Sequence, residues 1–525
     1  MDTDSPLAIV ASNGDGDDDD ALASLWEIWK TPLQKSRGWT GLDQWAVSEE
    51  VGRDPSLPHR VTRLDLSDCR LKGHVPPQLG HLSSLEWLDL SNTQLTSFPP
   101  EIGRLSSLRV LHLNDNQLTI LPPEICHLSS LQQLYLGANQ LTSLPSQIGH
   151  LSSSLTTLYL RDNALTSLPP EIGLLSSLRE LSLVGNQLTS LPPEIVNLSS
   201  LLVLELRCNQ LTSLPPQIDR LSSLQVLNLN TNRLATFPPE ITRLSSLLAL
   251  HIGNNQLPSL PPEIGKLSEL QVLDLNDNRL SSLPPEMGCL SSLQKLYLSG
   301  NALTSLPPEI GNLASSLQRL HLHYNHLTRL PLQIGHLSSL RVLNLSNNRL
   351  ATFPPEIPRL SSLVTLRLRN NQLQSLPPEI GRLSLLQALI IGGNQLAILP
   401  PEVGCLSSLQ ELTLDDNRLS SLPSEIGHLS LLQALTLNDN RLSSITPEIG
   451  HLSSLRRLDL EFNQLTSLPP QMGQLPYLQH LNLSSNRLTS LPPEMGRLSS
   501  SLEWLDIDDN PLTSLPPEMA HFSSI

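Results

Sequence analysis

The chain has 525 residues, 44 of them proline, with 39% hydrophobic residues, only 3% aromatic residues and a formal net charge of −16. Its length would ordinarily imply about three or four globular domains. The excess of Leu, Ser and Pro over aromatics points instead to one small unit copied many times, burying one narrow apolar stripe per copy. The negative balance excludes the basic footprint of a nucleic-acid binder, and no apolar run approaches the roughly eighteen residues of a membrane span.

In chain order, residues 1–20 carry Asp2, Asp4, Asp15 and Asp17 to Asp20 and read as a disordered acidic tail. Met1-Asp2-Thr3-Asp4 lacks a basic leader, and Leu7 to Ala11 is too short for the apolar part of a secretory signal. Residues 21–60 hold four of the six tryptophans, Trp26, Trp29, Trp39 and Trp45. They read as a cap that covers the exposed end of the first repeat, a cover that a stacked array requires.

From Val61 to Ile525 one pattern returns twenty times. In Leu108-Arg109-Val110-Leu111-His112-Leu113-Asn114-Asp115-Asn116-Gln117-Leu118 it reads LxxLxLxxNxL. The ninth position is Asn from Asn116 to Asn510, in steps of 23 residues with three of 24. The first two copies depart, with Cys69 and Thr93 in the Asn slot. The alternating LxL predicts a short strand with two Leu side chains inward. One such unit cannot bury its Leu face, so copies must stack as parallel strands about 4.8 Å apart. The Asn side chains are expected to form a buried ladder that satisfies the backbone of the turns. The return leg, as in Ser167 to Ser177, begins with Pro-Pro and predicts extended chain or a short helical turn rather than a second sheet. A narrow return leg opposite the strands would bend the stack into an arc with the sheet on its concave side.

LxxLxLxxNxLTSLPPEIGxLSS resembles the Ras-group type of leucine-rich repeat, found in intracellular signalling scaffolds and in the plant intracellular Ras-group-related family. The resemblance covers about 465 of the 525 residues. It implies an α/β solenoid, a leucine-rich-repeat horseshoe with a concave parallel β-sheet and about 20 repeats of 23–24 residues. The stretch Leu71 to Gly80 departs toward the LxGxIPxxLG form of plant and algal repeats, and the Trp-rich segment resembles the N-terminal cap of plant, algal and bacterial members. The paired cysteines of secreted caps are missing. The five cysteines, Cys69, Cys126, Cys208, Cys289 and Cys405, form no CxxC pair and read as reduced and cytosolic.

No phosphate-binding, dinucleotide, zinc-protease or nucleophile-elbow motif occurs, so no catalytic residue, cofactor or metal is expected. Six histidines, His81, His127, His150, His336, His428 and His451, share one return-leg slot that elsewhere holds Arg, Lys, Asn, Cys or Leu, and read as solvent-facing. The stacked pairs His127/His150 and His428/His451 have no third metal ligand. Cys208 reads as a small packed side chain.

Because the Leu, Asn, Pro and Gly positions hardly vary, the informative slots are positions three, five, seven and eight of LxxLxLxxN, which are expected to face the concave side. Four of the five tyrosines fall there: Tyr135, Tyr159, Tyr297 and Tyr324. Repeats 11 to 14 gather Lys295, Tyr297, Arg319, His321, His323, Tyr324, Arg367 and Arg369. A smaller group is Tyr135, Tyr159, Arg161 and Asp162. Tyr and Arg dominate protein-binding hot spots, so the first cluster is expected to grip an acidic or phosphate-bearing protein surface. An acidic stretch, Glu411, Asp415, Asp416, Asp439, Asp459 and Glu461, reads as drift, since Asp also precedes Asn at Asp115, Asp162 and Asp277.

The expected function is a non-enzymatic interaction scaffold in cytosolic signalling, with a small GTPase or phosphatase as the partner that the resemblance implies. The alternative is the ligand-sensing arm of a larger protein whose kinase, GTPase or ubiquitin-ligase domain lies beyond residue 525, where Ile525 opens a further repeat. A secreted recognition protein of the plant-defence type lacks its signal peptide and cysteine pairs.

Overall fold

The computed structural model describes residues 11–13 and 59–519, with side chains from Val61 onward. The chain divides into two compact units, Met1–Gln256 and Leu257–Ile525. Among the described residues the first unit carries a ladder of nine three-residue strands, from Arg63–Asp65 to Ala249–His251, and the second carries eleven, from Val272–Asp274 to Trp504–Asp506. Within each unit neighbouring strands pair in parallel and in strict register, so that Tyr135 faces Tyr159 and Tyr297 faces His321 across adjacent strands.

The sequence pattern explains the strand length. The Leu residues at positions four and six, such as Leu158 and Leu160, point inward and are fully buried, as are their counterparts in every coil but the last, where Leu505 is 8% exposed and Ile507 half-buried. Each is worth roughly 1.5–3 kcal/mol of burial, but only when the neighbouring coils close over it. The intervening residue at position five faces outward and is free to vary.

The chain leaves each strand through a turn held by the Asn column. Asn163 donates from Nδ2 to the carbonyl of Leu136 in the preceding repeat at 2.9 Å and to its own Leu160 carbonyl at 3.1 Å. Its Oδ1 accepts from the Leu141 N–H at 2.9 Å. The same bonds recur down the column, for example at Asn186 and Asn371. Thr93, the weaker substitute, donates its hydroxyl to the Leu90 carbonyl at 2.6 Å. Cys69 lies with its sulfur 3.4 Å from the Ser67 carbonyl.

Position eight corrects one reading of the sequence. Asp115, Asp162, Asp277, Asp416 and Asp439 have φ between 51° and 57°, in the left-handed region, as do Asn254, Asn347 and Asn370. Asp, Asn and Gly recur here because they are the residues that enter this conformation with little strain, so this Asp pattern is a backbone requirement rather than drift. Cys208 occupies the same slot with φ 58° and is half-buried, not packed in the core. Gly185 shows the requirement most plainly: its φ is +67°, and a Cβ there would lie 2.3 Å from Asp162 Oδ1.

The return legs are short 3-10 helices, such as Pro170–Leu174, entered from Pro169 in extended conformation. Proline suits the first helical position because its missing N–H has no partner to lose. The following glycine lets neighbouring coils approach: a Cβ on Gly173 would meet the Glu194 carbonyl at 2.2 Å. The two atypical first repeats add a second small parallel sheet, Gly73–His74 with Leu95–Ser97. Ala11–Asn13, within the segment read as an acidic tail, pairs antiparallel with His59–Val61. The remainder of that tail, nearly all of the Trp-rich cap and Ile525 lie outside the described residues.

Candidate functional site

The outward side chains at positions three and five stand in rows across the strands, because register is conserved from coil to coil. These rows hold two aromatic clusters, one in each unit.

In the first unit, Arg63, Trp87, His112, Tyr135 and Tyr159 follow one another across five strands. The Arg63 guanidinium lies 3.7 Å over the Trp87 ring. Trp87 and His112 centroids are 5.6 Å apart. His112 stacks on Tyr135 at 4.3 Å with an interplanar angle of 6°, and Tyr135 meets Tyr159 edge to face at 5.1 Å. The row ends in a carboxylate: Tyr159 Oη donates to Glu180 Oε2 at 2.5 Å. That hydrogen bond, with burial and the Glu180, Tyr135 and Glu205 groups, pushes the Tyr159 hydroxyl up to about 12. Burial and Glu180 also raise Tyr135.

Beside the two tyrosines opens a cleft of about 520 Å³, with Glu180, Glu205, Val184 and Val203 among its lining residues. Arg161, at its rim, leans over the preceding strand, with Cγ 2.8 Å from where a Gly137 Cβ would stand. A second cleft in this unit, about 670 Å³, is lined by serines, Thr156, Gln132, Arg109 and Arg179 and holds no aromatic ring.

In the second unit, Tyr297 and His321 meet edge to face at 5.1 Å. His321, His323 and Tyr324 follow at 6.0 and 5.6 Å between successive rings. Lys295 pairs in register with Arg319. His323 Nδ1 lies 2.6 Å from Ser299 Oγ and 3.2 Å from Asn344 Nδ2. The Asn344 amide nitrogen can only donate, so Nδ1 is the accepting nitrogen and the proton sits on Nε2. Burial lowers both histidines below their ordinary value; His323, Arg367 and Arg319 add to the effect on His321, whereas Asp277 opposes it on His323. No ion pair among the described residues involves Lys295, Arg319, Arg367 or Arg369.

The structure therefore brings Lys295, Tyr297, Arg319, His321, His323 and Tyr324 together. Arg367 lies one strand beyond Asn344, close enough to act on both histidines. Arg369 acts on Asp415, whose carboxyl is raised by burial against the Thr436 and Asn438 hydrogen bonds and the Arg369 charge. Tyr324 is 62% exposed and holds φ 55°, an unfavourable conformation for an aromatic residue that marks a position worth testing. In the acidic stretch Asp459 pairs with Arg457 at 2.7 Å and Asp415 accepts from Thr436 at 2.9 Å, while Asp459 acts on Asp415 and Asp416 on Asp439.

Sequence reasoning missed Trp87, His112, Glu180 and Glu205. Phe462 was also missed; it is 53% exposed with φ 52° at position eight. A scan of the outward slots for every aromatic residue, rather than for tyrosine, would have found Trp87, His112 and Phe462.

A parallel ladder of short strands, a buried Asn column and 3-10 return legs define the leucine-rich-repeat architecture. The comparisons agree. A family profile described as leucine rich repeat matches residues 129–188, 176–234, 245–303, 291–350 and 453–512, and one described as leucine-rich repeat region matches 49–158 and 357–469. The chain belongs to the leucine-rich-repeat family. It is similar in structure to a leucine-rich-repeat protein of Leptospira interrogans, at 36% identity over 83% of this chain and 92% of that one, with a TM-score of 0.61. It is also similar to the plant peptide hormone receptor RGFR1, solved in complex with RGF2, at 29% identity over 88% of each chain and a TM-score of 0.62. A third likeness is to YopM from Yersinia enterocolitica, at 27% identity over 96% of this chain and 95% of that one, with a TM-score of 0.57. No curated protein matches the sequence.

Proposed function

We propose that this chain is a non-enzymatic protein-binding scaffold of cytosolic signalling that engages its partner through the strand face. In this reading Lys295, Tyr297, Arg319, His321, His323, Tyr324, Arg367 and Arg369 take an acidic or phosphate-bearing protein surface. One observation carries it: the outward rows of the second unit concentrate cations and aromatic rings in this cluster, and none of Lys295, Arg319, Arg367 and Arg369 is engaged in an ion pair among the described residues. Such a surface sets orientation and on-rate by charge complementarity. The five free cysteines support a reducing compartment. Among the described residues no helix is long and apolar enough to cross a membrane. A small GTPase or phosphatase remains the partner class that the Ras-group repeat pattern favours.

The test is capture from source-cell lysate by the intact chain and by the double variant Arg367→Glu/Arg369→Glu. Loss of one specific protein from the variant alone, at unchanged thermal unfolding, is the expected result. Identical capture by both forms rejects the site. The likeness to a peptide hormone receptor favours a second reading, a ligand-sensing arm of a larger signalling protein. A longer transcript encoding a kinase, GTPase or ubiquitin-ligase domain would establish that reading.

A further inference from the structure

The cleft of the first unit has a different chemistry from the cationic cluster and calls for a different ligand. Positions three and five of this unit carry the carboxylates Asp65, Asp89, Glu180 and Glu205, against a single guanidinium, Arg63, already stacked on Trp87. At the cleft, Tyr135 and Tyr159 lie beside Glu180 and Glu205, while Val184 and Val203 add apolar surface. The volume of about 520 Å³ falls within the roughly 300–1,000 Å³ of ordinary ligand sites. Glu180 has one oxygen committed to Tyr159. Glu205 accepts no side-chain hydrogen bond and enters no ion pair among the described residues. Arg161 also lines the cleft, with its side chain along Gly137, but Asp162, Glu180 and Glu205 outnumber it there.

Aromatic faces beside unpaired carboxylates select a cation. The ring quadrupole attracts the positive head, the carboxylates accept its hydrogen bonds, and apolar surface covers its methylene stem. The same row already displays half of this recognition internally, with Arg63 on Trp87. Arginine fits best, because its planar fork both stacks on a ring and bonds a carboxylate in bidentate fashion.

We propose that the cleft formed by Tyr135, Tyr159, Glu180 and Glu205 binds an arginine or lysine side chain of an extended peptide segment of a partner protein. The segment lies across the strands. Ser182 and the amide nitrogen of Asn114 line the cleft and offer polar groups to the segment's backbone.

The experiment uses the full chain and an array of immobilised octapeptides with a Gly, Ser, Thr and Val background and Arg, Lys, Ala or Glu at the centre. The expected result is at least tenfold greater retention on Arg- and Lys-centred peptides than on Ala-centred ones, weakening as salt is raised. Glu180→Gln/Glu205→Gln should reduce retention to the Ala level. Equal retention on all four centres, or preference for Glu, overturns the proposal. So does a dimer of the chain that Glu180→Gln/Glu205→Gln dissociates without any peptide selectivity, because the occupant would then be a second copy. The selectivity of the unaltered chain is readable even if the variants fail to fold.

Discussion

The two aromatic clusters rest on the same scaffold yet present opposite charge. In the first unit the row Trp87, His112, Tyr135, Tyr159 ends on Glu180 beside a cleft. In the second, Tyr297, His321, His323 and Tyr324 sit among Lys295, Arg319 and Arg367. The inward residues that support them are equivalent, a Leu pair, an Asn and a short 3-10 return leg, except beneath Arg63 and Trp87, where Cys69 and Thr93 take the Asn place. The outward slots therefore hold either sign of charge over the same buried core.

The severest test of that comparison is to break the shared scaffold. Asn163 lies in the turn that follows the Tyr159 strand and is fully engaged with backbone groups. Asn163→Ala leaves the buried Leu141 N–H unsatisfied, at about 1–3 kcal/mol, while the Leu136 and Leu160 carbonyls keep the amides of Asn139 and Asn186. Its urea midpoint should fall clearly, and cation binding in the first unit should weaken with it. An unchanged midpoint would show that the column is not what holds the turns.

A smaller expected effect tests the second cluster from outside. Arg367→Glu/Arg369→Glu should weaken partner binding about tenfold, a loss worth about 1.4 kcal/mol, with no change in the urea midpoint. A shifted midpoint would mean that these side chains stabilise the coil as well as face the partner.

Tyr324 offers a change of opposite sign. Its φ of 55° is tolerated better by Asn, so Tyr324→Asn should stabilise the second unit by up to about 1 kcal/mol while weakening partner binding. A less stable variant would show that the exposed ring packs against the cluster more than it strains it.

The smallest expected effect is a pH dependence. His112, His321 and His323 all have pKa values lowered below the ordinary 6.5, chiefly by burial. The folded state therefore binds fewer protons than the unfolded state below that value. Stability should decline as pH falls through about 6.5 toward the depressed folded values and should be indifferent to these groups above it. An acidic partner should oppose the decline at His321 and His323, because bound anions favour the protonated rings. Thermal unfolding from pH 7.5 to 5.5, in intact chain and in His323→Gln, reads both effects. A variant with an unaltered slope would remove His323 from the account.

The strand ladder and the Asn column were legible in the sequence because both arise from a strict period and from residue types with one physical role. Position eight was only half legible. Asp115, Asp162 and Asp277 recur for their backbone conformation, which a pattern of letters does not display until the φ values are known. The first cluster was underestimated for another reason. Trp87 stands at position three and His112 at position five, and nothing in either repeat alone unites them. Strand register pairs His112 with Tyr135, while Trp87, in register with Val110, reaches His112 diagonally. The opposite charge of the two clusters needed the same step, since Glu180 and Glu205 sit in different repeats and meet at one cleft.

The Asn column also gives the stack a direction. Each Asn extends its bonds backward: Asn139 caps the Leu118 N–H and Leu113 carbonyl of the coil before it, and Asn163 does the same for Leu141 and Leu136. The carbonyl keeps a bond from the coil's own Asn, as Leu113 does from Asn116 and Leu136 from Asn139, so within this column only the turn N–H depends on the coil that follows. Within either unit the column is therefore polar: losing a coil strips one of these turn bonds from the coil before it and none from the coil after it.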